Sequence, residues 1–249
     1  MAEGVFLKQP QLLTTMSSSG ILKSSLAKKY AMGLTGLFLC TFLVGHLLGN
    51  LQLFIPGEEG RIAFNEYALF MTTFPVVKLL SYLTYASVLF HVVDGIALTL
   101  QNRKARPVGY AVEKGSTNSG WSSRNMGILG TFILVFLVTH MQNFWWKMHF
   151  SEMPMHNVNG EQLKDLYTVV LDYFNPAING FAAFAVAVYV AGMAAMGFHL
   201  WHGFASGFQS MGLRHDTYTS WIEAAGKAFA LIVPLAFASI PLYLYMTQA

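Results

Sequence analysis

Five long stretches of this 249-residue chain are almost free of charge. Residues 30–57, 125–146, 173–213 and 228–249 contain no Asp, Glu, Lys or Arg, and residues 79–102 contain only Asp94. An α-helix needs about 20 mostly apolar residues to cross a bilayer core. In lipid every backbone polar group must be satisfied internally, so only helices or a closed barrel can cross. A barrel reads as short segments of alternating hydrophobicity, and the chain has none. The fold expected is an all-α membrane protein, a bundle of five transmembrane helices forming one domain over residues 1–249. The helices are expected at about 30–55, 77–102, 125–147, 177–210 and 226–247, after an N-terminal segment 1–25. Composition agrees: 54% of residues are hydrophobic and 11% charged, against about 25% charged in a soluble domain.

The sparse charge is distributed unevenly. Lys8, Lys23, Lys28, Lys29, Arg103, Lys104, Arg106, Lys114, Arg124, Arg214 and Lys227 fall on one side of the expected bundle. Arg61, Lys78, Lys147 and Lys164 fall on the other, with Glu58, Glu59, Glu66, Glu152, Glu161, Asp165 and Asp172. By the positive-inside rule the N-terminus is cytoplasmic and the C-terminus outside. The basic side reads as topology and attraction to membrane lipid, not as a nucleic-acid surface. Residues 1–25 lack the apolar core of a secretory signal. The one cysteine, Cys40, cannot form an internal disulfide, and no Cys-x-x-Cys-His is present for covalent haem attachment. On the outer side, Met153-Pro154 and Asn159-Gly160 mark turns, and residues 161–173 read as a short amphipathic helix.

The functional signal is histidine. His46, His91, His140 and His199 fall one per helix in the first four spans. Ionisable side chains inside a membrane are rare and mark functional sites, and neutral imidazole is the commonest metal ligand. Two imidazoles from two helices can hold one haem iron, so four can hold two. With a rise of about 1.5 Å per residue, His46 lies about 4 Å and His140 about 7 Å to the outside of their helix midpoints. His91 lies near its midpoint and His199 about 9 Å to the inside. Depth therefore groups His46 with His140 as an outer pair and His91 with His199 as an inner pair. His202 lies about 13 Å from the midpoint, near the interface. There it contacts a haem propionate or a quinone, or simply meets water. His149, His156 and His215 read as solvated. Gly33, Gly36, Gly45, Gly49, Gly192 and Gly197 suit a flat macrocycle and ordinary helix packing equally. No cysteine cluster is present for zinc or iron–sulfur ligation within this chain.

Ser24-Ser25-Leu26-Ala27-Lys28-Lys29-Tyr30-Ala31-Met32-Gly33-Leu34-Thr35-Gly36, running into Val44-Gly45-His46-Leu47-Leu48-Gly49-Asn50-Leu51, resembles the start of the membrane cytochrome b subunit of succinate dehydrogenase. Phe64-Asn65-Glu66-Tyr67-Ala68, His91-Val92-Val93-Asp94-Gly95 and Gly197-Phe198-His199-Leu200-Trp201-His202-Gly203-Phe204 are similar to the same family. The resemblance is to its single-chain, five-helix, two-haem type, also found in fumarate reductases, and spans about residues 23–246.

The resemblance implies two stacked b haems, held by His46 with His140 and by His91 with His199. It implies an anchor in the bacterial cytoplasmic (inner) membrane for a flavoprotein subunit carrying FAD and an iron–sulfur subunit, both on the cytoplasmic face. Succinate oxidation, a tricarboxylic acid cycle step, would occur in the flavoprotein. Electrons would pass through the inner and then the outer haem to a quinone, commonly menaquinone. Glu66 matches a family position near an outer quinone site, where a carboxylate can pass protons to reduced quinone; its alternative is a solvated loop acid. The membrane Glu that some relatives carry two residues before the fourth-helix haem ligand is here Gly197. Asp94 is either an interfacial acid or a partner of the inner haem site. Lys28, Lys29, Arg124 and Arg214 are the candidate propionate partners.

One alternative keeps the chemistry and changes the partner: a quinone-reactive dihaem subunit of a hydrogenase, formate dehydrogenase or nitrate reductase. Another is a haem-free transporter with histidines along its path, although the sequence lacks paired broken helices. An electron crossing outward with the membrane potential gains about 2.3 kcal/mol per 100 mV, which would help succinate reduce a low-potential quinone.

Overall fold

The computed structural model describes residues 24–105, 117 and 119–248. Most of the N-terminal segment, with Lys8 and Lys23, lies outside the described residues, as do Arg106 and Lys114 of the basic loop. In chain order the elements are α1 (Ser25–Asn50), continued by a 3-10 turn (Leu51–Phe54), α2 (Gly57–Thr73), α3 (Pro75–Lys104), α4 (Met126–Phe150), β1 (Met155–Val158), β2 (Glu161–Lys164), α5 (Leu166–Phe174), α6 (Ala182–Ser210) and α7 (Thr219–Thr247). A single turn, Trp121–Arg124, precedes α4. Among the described residues, α1 with its 3-10 turn, α3, α4, α6 and α7 are long and apolar enough to cross a membrane.

Local chemistry sets the ends. Ser24 caps α1, its Oγ accepting from Ala27 N at 3.1 Å. Pro75 occupies the first turn of α3, where its missing N–H costs nothing, and Arg103 and Lys104 sit at its negative end. The first, second and fifth spans begin before their expected starts, at Ser25, Pro75 and Thr219, and the third begins at Met126, within one residue of its own. The fourth begins at Ala182 and not at 177. Asn175 Oδ1 accepts from Ala177 N, and Asn179 Oδ1 from Phe181 N, folding those residues into turns that compete with helix. Within α4, Met141–Trp146 is a π-helix, directly after His140.

The connectivity of contacts arranges the helices. α1 packs against α3 and α6, while α4 packs against α6 and, more lightly, α3. These four close a ring in the order α1, α3, α4, α6. Helices on a diagonal, α1 with α4 and α3 with α6, run in the same direction. α7 lies outside the ring, against α6 and α1. Small residues permit the closest approaches: a Cβ on Gly33 would meet Gly207 O at 3.1 Å, and one on Gly197 would meet Ala230 O at 3.1 Å.

The acidic end carries a roof where the sequence predicts loop and a short helix. Residues 57–73 form α2, and residues 161–173 do not form one helix. Glu161–Lys164 instead pairs with Met155–Val158 in an antiparallel hairpin turned by Asn159 (φ 53°) and Gly160 (φ 92°). α2 and α5 pack over a core of Leu53, Phe64, Tyr167, Val170, Phe174 and Leu244, and β2 packs against α2. Burying each large apolar side chain contributes about 1.5–3 kcal/mol.

A polar network locks this roof. Asp165 is fully buried. Its Oδ2 accepts from Arg61 at 2.6 and 3.0 Å, and its Oδ1 from Asn65 Nδ2 at 2.9 Å and Thr168 N at 3.2 Å. Burial pushes the carboxyl up, but hydrogen bonds from Arg61, Asn65 and Thr168 outweigh it and hold the group at about 2. His156, read from sequence as solvated, is buried here: Glu58 Oε1 lies 2.6 Å from its Nε2 and Asn65 Nδ2 lies 3.4 Å from its Nδ1.

Candidate functional site

The two diagonals of the helix ring are bridged by histidine. His46 on α1 faces His140 on α4 with ring centroids 5.8 Å apart and planes at 82°. His91 on α3 faces His199 on α6 at 6.2 Å and 68°. Helices that barely touch thus meet through their imidazoles. Nδ1 of His140 and Nδ1 of His199 are buried with no hydrogen-bond partner. A buried polar atom without a partner is costly and calls for an explanation.

The inner pair is supported from α1, by the Met32 backbone and the Thr35 hydroxyl. Thr35 Oγ1 donates to Ala31 O at 2.7 Å, so its lone pair is what faces His91 Nδ1 at 3.2 Å. The Nδ1–H tautomer of His91 would complete this contact and leave the Nε2 lone pair available to a metal. Gly36 makes room for this ring, since a Cβ there would sit 3.1 Å from His91 Cε1. Asp94, one turn on, is half-buried and makes no ion pair among the described residues.

The outer pair is wrapped in aromatic rings. Phe42 stacks on His46 at 5.3 Å and Phe237 approaches it at 5.5 Å. Phe136, Phe144 and Tyr189 surround His140 at 5.8, 5.6 and 6.0 Å. The π-helix after His140 directs Asn143 towards α5, where its Nδ2 donates to Tyr173 Oη at 2.6 Å; π-turns recur at functional sites. The buried Tyr189 hydroxyl, beside Asn143, makes no hydrogen bond of good geometry. Asp172 precedes Tyr173 on α5, its carboxyl pushed up by burial and then by the charge of Asp165. α2 touches the same end: Tyr67 Oη donates to Gly45 O at 3.3 Å, and Gly49 gives the tyrosine ring its space.

The other candidates separate. Glu66 is exposed on α2, beside Tyr67 in sequence, and makes no hydrogen bond or ion pair among the described residues. His202 lies apart from both pairs, in a groove at the basic end that Arg214 also lines. Lys29 and Arg214 are exposed and Lys28 is half-buried, while the Arg124 guanidinium donates to Ser119 O. Asn143, Tyr173, Tyr189 and the support from Thr35 were missed in the sequence. Only Asn143 carried a signal, as an amide one turn from His140.

The ring separations, 5.8 and 6.2 Å, are those that two imidazoles sharing one metal would need. Metal–nitrogen bonds of about 2.0–2.1 Å place the two ring centroids about 6 Å apart. No group of three or more His, Cys, Asp or Glu converges among the described residues; a haem iron asks the protein for only two axial ligands. No family model matches the chain, and neither a curated protein nor a solved structure matches it.

Proposed function

We propose that the chain is the dihaem cytochrome b membrane-anchor subunit of a succinate:quinone oxidoreductase in the bacterial cytoplasmic membrane. In this reading it passes electrons from an iron–sulfur subunit to a quinone, commonly menaquinone. The iron–sulfur subunit and the FAD-bearing flavoprotein dock on the cytoplasmic face, and the N-terminus lies on that side with the C-terminus outside. The observation that carries the reading is the pair of histidine bridges, 5.8 and 6.2 Å across the two diagonals of one helix ring.

Haem b, when bound, supplies one-electron transfer. The protein's part is to hold and orient. His46 and His140 hold the outer group, His91 and His199 the inner. Thr35 favours the Nδ1–H tautomer of His91. The aromatic sheath of Phe42, Phe136, Phe144 and Phe237 keeps water from the outer pair. Glu66, exposed at the acidic end, is the candidate for passing protons to reduced quinone.

The pyridine haemochrome of the purified chain tests the reading. Two b haems per chain are expected, unchanged by His202→Ala. A colourless protein, or one that keeps its full haem after His46, His91, His140 and His199 are all replaced by Ala, would overturn it. Co-purification with a flavoprotein and an iron–sulfur protein that together oxidise succinate distinguishes this complex from a hydrogenase, formate dehydrogenase or nitrate reductase.

A further inference from the structure

The basic end of the bundle holds a groove of about 820 Å³ between the turn Trp121–Arg124, the end of α6 and the start of α7. That is within the size of small-ligand sites, about 300–1,000 Å³. Its walls are apolar and aromatic: Phe198 and Trp201 from α6, Trp121 from the turn and Ile222 from α7. Trp121 and Trp201 are 54% and 49% exposed, and exposed tryptophan on a membrane protein belongs at the lipid headgroup level. The rim is polar: Arg214, Lys227 and Glu223, with the Ser122 hydroxyl and His202. Neither Arg214 nor Lys227 makes an ion pair among the described residues. Two cations against one carboxylate leave the rim with a single positive charge.

An apolar trough that opens beside the membrane face of α6, beneath a rim with one net positive charge, matches a molecule with two apolar chains and one negative headgroup. We propose that this groove binds one anionic phospholipid, its phosphate between Arg214 and Lys227 and its acyl chains along Trp201, Phe198 and Ile222. Basic pockets between membrane helices suit such headgroups, and an arginine binds phosphate through paired N–H donors. A soluble anion has no use for the aromatic walls, and a neutral lipid has none for the unpaired cations. The inference does not depend on what the histidine pairs hold.

Native mass spectrometry of the full chain, purified in neutral detergent and offered an equimolar mixture of dioleoylphosphatidylglycerol and dioleoylphosphatidylcholine, tests it. The wild type is expected to retain one phosphatidylglycerol, at about tenfold preference over phosphatidylcholine. Arg214→Gln with Lys227→Gln should abolish that preference, while Lys147→Gln at the opposite end leaves it intact. Arg214→Lys with Lys227→Arg should restore it, which separates loss of charge from loss of fold. Equal retention of the two lipids by the wild type, unchanged preference in the Arg214→Gln, Lys227→Gln variant, or a quinone retained in place of lipid would each overturn the proposal.

Discussion

His46 and His140 meet beneath a roof of α2, the hairpin and α5, inside a sheath of five aromatic rings. His91 and His199 meet nearer the basic end, with the Thr35 hydroxyl and the Met32 backbone against His91. The same device is thus built into two environments. Each pair has a side-chain polar contact to an imidazole, Asn50 Nδ2 3.4 Å from His46 Nδ1 and Thr35 Oγ1 3.2 Å from His91 Nδ1. Only the outer one is also closed by an aromatic sheath and a roof locked by a buried ion pair. In electron-transfer sites, dielectric and hydrogen bonding to the ligands are the levers that set potential. The contrast therefore predicts that the two ends respond differently to substitution.

The largest effect should come from the bridges themselves. On the proposed reading, His140→Ala would remove one of two ligands, and from the outer pair only. Haem content should fall from two per chain to one, and His91→Ala should give the complementary loss, read by pyridine haemochrome and by which spectral component disappears. If either variant loses both haems or neither, the division into two independent pairs is wrong.

The roof comes next. Asp165→Ala takes from Arg61 its buried partner and from α5 its N-cap, and should cost about 2–3 kcal/mol. Arg103→Gln, an exposed charge at the basic end, should cost less than about 0.5 kcal/mol. Thermal unfolding of both variants in the same detergent measures the difference. Equal losses would remove the claim that the outer end is the more tightly locked.

The same carboxylate gives the roof a pH dependence. Asp165 is held at about 2 in the folded chain, below the ordinary 3.8. A depressed value stabilises the fold above the unfolded value and loses that contribution as pH falls through the folded one. About 2 kcal/mol should therefore disappear between about pH 4 and 2. Hydrogen exchange in α5 should accelerate over that window in the wild type and not in Asp165→Asn.

The smallest effect sharpens the contrast at the inner end. Thr35→Val keeps the shape and removes one hydrogen-bond partner of His91, leaving the Met32 backbone. A hydrogen bond worth about 1 kcal/mol corresponds to about 40 mV for one electron. A redox titration should show the inner midpoint moving by about that much while the outer one stays. Movement of both would mean that the two pairs are not separately tuned.

The sequence made the membrane helices legible because lipid imposes one demand, a long apolar run, that each of them meets locally. It also made the four histidines legible, since each stands out against a charge-free background. The roof was harder to read. α2 carries Gly57, Gly60, Glu58 and Glu59 among its apolar residues and lacks the length of a span. Arg61 and Asn65 find Asp165 about a hundred residues away, and no local pattern records a partner at that distance. His156 looked solvated for the same reason, since Glu58 and Asn65, which bury it, come from another element. The inner groove was equally invisible, being formed where a loop turn meets two helix ends.

A density map of the purified chain, at a resolution that separates side chains, tests the central claim most directly. It should show one flat macrocycle with a central metal between His46 and His140 and a second between His91 and His199. Side chains or lipid filling either gap, with the imidazoles turned away from one another, would contradict the account.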